Sequence, residues 1–130
     1  MIAKFVTDKR PIIEVSINGN KAYMLVDTGA SIGVIDSRVL GKYGVGKGSA
    51  MAGSVTGVGG RQEDVCHTKN CTVDVGGVKL YQFVTFNLSS VADSIERETG
   101  IEIDGIIGTT QIKMSEMKID LDNGYIKIGY

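Results

Sequence analysis

The chain is predicted to fold as an all-β domain, and three features of the sequence carry that prediction. Eighteen glycines stand against a single proline and no tryptophan in 130 residues, a balance that suits short strands and tight turns better than a helical bundle. Apolar residues alternate with polar ones, as at Ile13, Val15 and Ile17, which is the period of a half-buried strand. Asn18-Gly19, Gly76-Gly77 and Asn123-Gly124 punctuate the apolar runs, and such steps supply the positive-φ residues of short hairpin turns. One domain over residues 1–130 is expected, because this length buries roughly two-thirds of the unfolded surface without disulfide or metal staples.

Taken in order, residues 11–17 form one strand of a hairpin and residues 21–26 its return, so the hairpin's register aims the residue that follows Val26. Gly33-Val34-Ile35 reads as a short strand, after which Asp36 or Ser37 caps a brief helix through Leu40 that stops near Gly41 or Gly44. Residues 50–60 hold Gly53, Gly57, Gly59 and Gly60 with Val55 and Val58 between them; the composition fits a hairpin and, taken alone, a surface loop. Strands at 71–75 and 79–86 flank Gly76-Gly77. Ser89 is the expected cap of a helix over 90–99, with Val91 and Ile95 on one face, Glu96 and Glu98 on the polar side and Gly100 as its stop. A helix over 110–115 turns Ile112 and Met114 partly inward, and strands at 118–121 and 125–128 close the chain as a hairpin.

The 14 basic and 15 acidic residues are well mixed and leave a net charge of −1, so neither nucleic acid nor a membrane surface is an expected partner. No apolar run approaches the roughly eighteen residues of a membrane helix, and residues 1–10 lack the apolar centre of a secretory signal. A soluble chain of open address is expected. Cys66 and Cys71 flank His67 across a short turn, and free thiols or a dispensable disulfide is the favoured reading over a metal site. The chain has one histidine in all, too few ligands for a structural zinc set, so neither metal nor cofactor is expected.

The most informative stretch is Asp27-Thr28-Gly29-Ala30, fed by the apolar run Tyr23-Met24-Leu25-Val26. A strand that ends in an acid and a tight Thr-Gly turn presents one carboxylate at the floor of a cleft. Well downstream the chain reads Asp104-Gly105-Ile106-Ile107-Gly108, where the Asp-Gly step is expected to begin a turn into Ile106. Between the two motifs lies the glycine-rich segment. In order and spacing the motifs resemble the active-site core of the retropepsin-like aspartic proteases, and the resemblance spans roughly residues 11–130.

That resemblance implies a small closed β-barrel with one or two short helices, an aspartic endopeptidase activity on polypeptide substrates, and no cofactor. It makes Asp27 the catalytic residue and Thr28, Gly29 and Ala30 its loop supports. Thr28 would hydrogen-bond across a dimer axis, and Gly29 would admit the substrate backbone. Ile106, Ile107 and Gly108 would pass beneath the loop, a role compatible with simple core filling. Val55, Gly57, Val58, Gly59 and Gly60 would form a flap over the substrate, with Ser31 and Val34 also beside it. Amide hydrolysis of this type uses two carboxylates sharing a proton, and one chain supplies one Asp-Thr-Gly, so a homodimer is implied. Viral members commonly carry Asp and Arg where this chain has Ser31 and Thr109, which removes their internal ion pair. The helix before the second motif and the terminal hairpin look more like the cellular and bacterial members. Either the terminal strand or the residue 1–6 arm is the expected subunit contact. The alternative from another class is a catalytically silent peptide-binding or dimerisation module with the same fold; a third reading is a small metal or redox domain around Cys66, His67 and Cys71.

Overall fold

The computed structural model describes residues 1–51 and 65–129. Along the chain it contains β1 (Ile2–Lys4), β2 (Ile12–Ile17), β3 (Asn20–Val26), β4 (Val34–Asp36), a 3-10 turn (Ser37–Val39) leading into α1 (Leu40–Tyr43), β5 (Gly46–Ala50), β6 (Cys66–Lys69), β7 (Val73–Val75), β8 (Val78–Leu80), β9 (Val84–Phe86), α2 (Ser89–Thr99), β10 (Gly105–Ile107), α3 (Thr109–Met114), β11 (Lys118–Asp120) and β12 (Tyr125–Lys127). The fold is all-β in class, as the glycine and β-branched content requires.

Among the described residues the strands form a nine-stranded sheet of order β5-β6-β9-β4-β10-β3-β2-β7-β8 and a three-stranded sheet of order β1-β12-β11. The closed barrel expected from the sequence is therefore corrected to two open sheets. Closure needs the two outermost strands to pair, and here β5 and β8 stand at opposite edges.

The Asn18-Gly19 turn forms as its residue types dictate, with φ of +48° and +87°, and it sets β2 against β3 from Ile17↔Asn20 to Ile12↔Leu25. β10 then inserts between β3, to which it is parallel, and β4, to which it is antiparallel. Two sequence-distant strands thus end side by side, and the loops that follow Val26 and Ile107 leave from the same end of the two parallel strands.

Side chains alternate across this sheet. Ile13, Met24, Ile35 and Ile107 enter one buried cluster, while Ile12, Leu25, Val34 and Ile106 enter another, together with Leu88, Ala92 and Ile95 at and within α2. Both clusters are buried, with Ile106 at 1% and Ile107 at 0% exposure, and burial of such side chains stabilises by about 1.5–3 kcal/mol each. The central strands are thus sandwiched, which is why their apolar residues run consecutively as well as alternately.

Several local expectations are corrected by the fold. The strand expected over 79–86 breaks into β8 and β9 because Gln82 takes φ of +68°. Ser89 lies inside α2 and is not its cap: Leu88 takes the cap position without a side-chain bond, and Asn87 Oδ1 accepts from the Ser89 N–H at 2.8 Å. Gln111 is the buried side chain of α3, at 0% exposure, while Met114, expected partly inward, is 59% exposed. The pair β5–β6 was not foreseen, since Gly46-Lys47-Gly48 has little strand propensity; it forms through cross-strand pairing up to Ala50↔Cys66.

Candidate active site

Asp27 follows directly on β3, and its backbone N–H donates to the Ile107 carbonyl at 2.9 Å, extending the parallel β3–β10 pairing by one bond. The carboxylate then folds back on its own turn: Oδ1 accepts from the Gly29 N–H at 2.8 Å, the local bond that short acidic side chains favour in turns. A Cβ on Gly29 would lie 3.1 Å from that oxygen, so glycine keeps the carboxylate uncrowded. Asp27 is half-buried, Thr28, Gly29 and Ser31 are exposed, and Ala30 is buried. Val34, expected near substrate, is instead 2% exposed; its place in β4 turns it into the cluster beneath the site.

The second motif lies against this loop. A Cβ on Gly108 would come within 2.5 Å of the Ile32 carbonyl carbon and 2.9 Å of the Gly33 nitrogen, a fit that only glycine permits. Directly after it, α3 begins with two threonines that hold the loop from outside. The Thr109 N–H donates to Ala30 O at 2.8 Å and the Thr110 N–H to Ser31 O at 3.2 Å; the hydroxyl of Thr109 donates to Thr28 O at 3.1 Å and that of Thr110 to Ser31 O at 2.9 Å. These two residues were absent from the sequence-based site. Their signal was position alone, immediately after the Ile-Ile-Gly element.

Asp104 does not begin a turn. It is 8% exposed, exchanges bonds with Tyr23 by donating its N–H to Tyr23 O at 2.8 Å and accepting the Tyr23 N–H on Oδ2 at 3.0 Å, and its carbonyl accepts from the Asp36 N–H at 2.9 Å. The residue fixes the start of β10 between its neighbours. Beside it Tyr43 is 3% exposed, and burial, reinforced by the Asp104 charge, pushes its phenol up to about 12.

A cleft of about 670 Å³ opens at Asp27. Leu25, Val26, Asp27 and Thr28 form its floor, Val91, Ser94 and Ile95 of α2 one wall, and Ile119 with Leu121 the other. Leu121 is 69% exposed. At the rim Arg10 grips Glu98 with two bonds, Nε to Oε1 at 2.9 Å and Nη2 to Oε2 at 2.8 Å, and Lys9 Nζ donates to Glu98 O at 3.1 Å. That hydrogen-bonded pairing lowers the Glu98 carboxyl below its ordinary range and raises Arg10. The clamp ties the C-terminal end of α2 to the segment before β2. Sequence reasoning found the helix and not its place as a wall of the cleft.

Val55, Gly57, Val58, Gly59 and Gly60, expected as a flap, lie outside the described residues. β5 and β6 bracket that segment, and the Met51 N–H donates to Val65 O at 2.8 Å. Cys66, in β6, and Cys71 are both half-buried free thiols, with Cys71 raised by burial.

The sequence model of the aspartyl protease family matches residues 13–110. No curated protein matches the chain. Among solved structures, EIAV protease complexed with the inhibitor HBY-793 is similar with a TM-score of 0.59 at 22% identity, over 89% of this chain and 97% of that one. The retroviral protease-like domain of Ddi1 from Leishmania major gives 0.56 at 19% identity, over 97% of this chain and 95% of that one. A retropepsin-like aspartic protease from Rickettsia conorii gives 0.59 at 17% identity, over 100% of this chain and 89% of that one. At such identities the structural likeness speaks for the fold and the family match for descent: the chain belongs to the aspartyl protease family and has the retropepsin-like fold.

Proposed function

We propose that residues 1–130 form a single domain that acts as a homodimeric aspartic endopeptidase, with one Asp27 from each chain making up the catalytic pair. The observation that carries this reading is the Asp27 carboxylate itself, half-exposed on the floor of an apolar cleft with Oδ1 fixed by the Gly29 N–H at 2.8 Å. A purely structural acid is placed as Asp104 is, buried and bonded on backbone.

In the pair, two carboxyl groups a few ångströms apart share one proton because both cannot ionise cheaply. The ionised partner takes a proton from the attacking water, while the protonated partner donates a hydrogen bond to the scissile carbonyl and polarises it. As the new C–O bond forms, the protonated partner passes its proton to the carbonyl oxygen, giving a neutral gem-diol. The carboxyl that took the water's proton then hands it to the departing nitrogen as the C–N bond breaks, while the other carboxylate takes a hydroxyl proton back, so that a carboxylic acid leaves and the pair again holds one proton. The two titrations belong to the pair, so the rate profile is bell-shaped and centred on the acid side. Thr28 lies beside the axis, and Val91, Ile95 and Leu25 offer apolar surface to side chains flanking the cleaved bond.

The second copy must border the cleft to bring its own Asp27 within reach. Of the terminal strands expected to reach a partner, β12 is paired on both sides, with β1 and with β11, while β1 is an outer strand, as β11 is, but has no residue on the cleft. That leaves β11 as the outer strand nearest the site, with Ile119 and Leu121 on the cleft wall, and we assign the subunit contact to it. The test is cleavage of a mixed peptide pool by the parent and by Asp27→Asn, each at concentrations above and below dimer dissociation measured by light scattering. Specific activity is expected to fall on dilution and to vanish in Asp27→Asn. Undiminished cleavage by the variant, or by demonstrably monomeric parent, defeats the assignment; a dimer that cleaves nothing favours the silent binding module.

A further inference from the structure

The side chain that ties the site together belongs to neither motif. Gln111 sits in the third position of α3 at 0% exposure, and all its hydrogen-bonding capacity is directed at backbone. Its Oε1 accepts from the Gly33 N–H at 2.8 Å and from the Gly108 N–H at 3.2 Å. Its Nε2 donates to Tyr81 O at 3.0 Å and to Gln82 O at 3.1 Å. Two N–H donors on one side and two carbonyls on the other fix the amide's orientation, with no alternative flip that satisfies both.

The four partners are the boundaries of the site. Gly33 ends the loop that starts at Asp27, and Gly108 ends the strand that passes beneath it. Tyr81 and Gln82 form the break between β8 and β9, where Gln82 holds φ of +68°, a conformation that costs a side-chain-bearing residue free energy unless its surroundings impose it. Phe83 follows, and its ring lies against Gly33, where a Cβ would meet Phe83 Cε1 and Gln111 Oε1 at 2.6 Å each. A reach back from the third helical residue to the N-terminal cap N–H is a familiar helix-start bond. Here the same oxygen takes in a second N–H from the catalytic loop, and the amide's other end reaches a third segment.

We propose that Gln111 is a positioning residue: its buried amide locks Gly33, Gly108 and the Tyr81–Gln82 turn into one frame that sets where the Asp27 carboxylate stands. This rests on the proposed protease reading for its kinetic consequence and on geometry alone for its structural one. Displacing a reacting group by about 1 Å is enough to cost on the order of 10²-fold in rate. Gln111 touches neither Asp27 nor the cleft, so its removal should alter how well the acid is placed and leave substrate affinity largely alone.

The experiment compares the parent, Gln111→Met, Gln111→Glu and Asp27→Asn, using the full chain at a temperature where circular dichroism shows each variant folded. Methionine keeps the length and removes all four bonds. Glutamate keeps the acceptor and regains a donor only when protonated, and it provides the folded variant if methionine does not fold. Two readouts are taken: amide hydrogen exchange at Asp27, Gly29, Gly33 and Gly108, and the separate values of kcat and KM across pH. In Gln111→Met, exchange at those amides is expected to rise at least about tenfold while the β2–β3 hairpin stays protected, with kcat falling about ten- to a hundredfold and KM within about threefold. Gln111→Glu is expected to recover kcat toward the acid end of the profile and lose it as pH rises. Unchanged exchange at the four amides, or unchanged kcat, or a loss confined to KM, overturns the positioning role. A parent matched in cleavage by Asp27→Asn overturns the protease reading instead, and the exchange data then still decide whether Gln111 holds the loop.

Discussion

Asp27 and Asp104 stand in similar sequence surroundings, each an acid in an Asp-Gly or Asp-Thr-Gly step beside a short apolar run, and the fold places them in opposite ways. Asp27 leaves the end of β3 and turns its carboxylate toward a cleft, bonded to the Gly29 N–H of its own loop. Asp104 precedes β10 and turns its carboxylate onto the Tyr23 N–H of a neighbouring strand, 8% exposed. Whether the acid comes after a strand or before one decides the outcome. After a strand, the N–H closes the last ladder bond and the side chain turns back on its own loop; before one, backbone and side chain together start the ladder.

The sharpest way to break this comparison is to exchange the losses. Asp27→Asn is expected to lower kcat by about 10³ or more with a melting temperature within a few degrees of the parent. Asp104→Ala should do the reverse: a stability loss of about 1–3 kcal/mol, from the abandoned Tyr23 N–H, with activity per folded molecule within about threefold of the parent. Denaturant titration and cleavage rates on the same samples decide both, and equal losses of stability in the two variants would erase the distinction.

A smaller effect sharpens it. Thr109→Val with Thr110→Val removes the two hydroxyl bonds to the Asp27 loop, and about 0.5–1.5 kcal/mol of stability should go with each, accompanied by a fall in kcat and no comparable effect on the β10 start. Alkaline titration supplies a probe of the Asp104 side. Tyr43 carries its proton up to about 12 in the fold against 10.0 ordinarily, so its contribution is whole below 10 and is lost as pH rises toward 12; ultraviolet titration of the parent against Tyr43→Phe reads that late phenol. The smallest change is at the cleft rim. Glu98 is held low by Arg10, so the clamp on α2 persists at ordinary pH and fails as pH drops through the lowered value. In Arg10→Ala the Glu98 carboxyl should titrate nearer 4.5, measured by nuclear magnetic resonance, with little change in melting temperature because an exposed pair contributes little.

How far the sequence discloses this molecule follows the range of the forces at each residue. Asn18-Gly19 and Gly100 act through their own φ angles, so their hairpin and helix stop were legible. Asp27-Thr28-Gly29 was legible because its key bond spans two residues. The break at Gln82 was not, since the amide that receives it comes from Gln111, 29 positions away. Thr109 and Thr110 reach carbonyls of Thr28 and Ser31 across 81 and 79 positions, and nothing local distinguishes them from other helix-start threonines. The apolar face of α2 was readable as a face. Its partner was not, because Leu25 and Ile106 meet it only after β10 has entered the sheet. A closed barrel was read from resemblance, and pairing between edges is the most non-local feature of all.

The terminal sheet has a mechanical consequence. β1 and β12 run antiparallel, the Ile128 N–H donates to Met1 O at 2.9 Å and the amino terminus donates back to Ile128 O at 3.1 Å, so the chain enters and leaves this sheet side by side. Tension applied between the two ends loads these bonds one after another, as a zipper is opened, and never shears several at once. Traction on the chain should therefore peel β1 from β12 at low force, before the nine-stranded sheet that carries Asp27 bears any load.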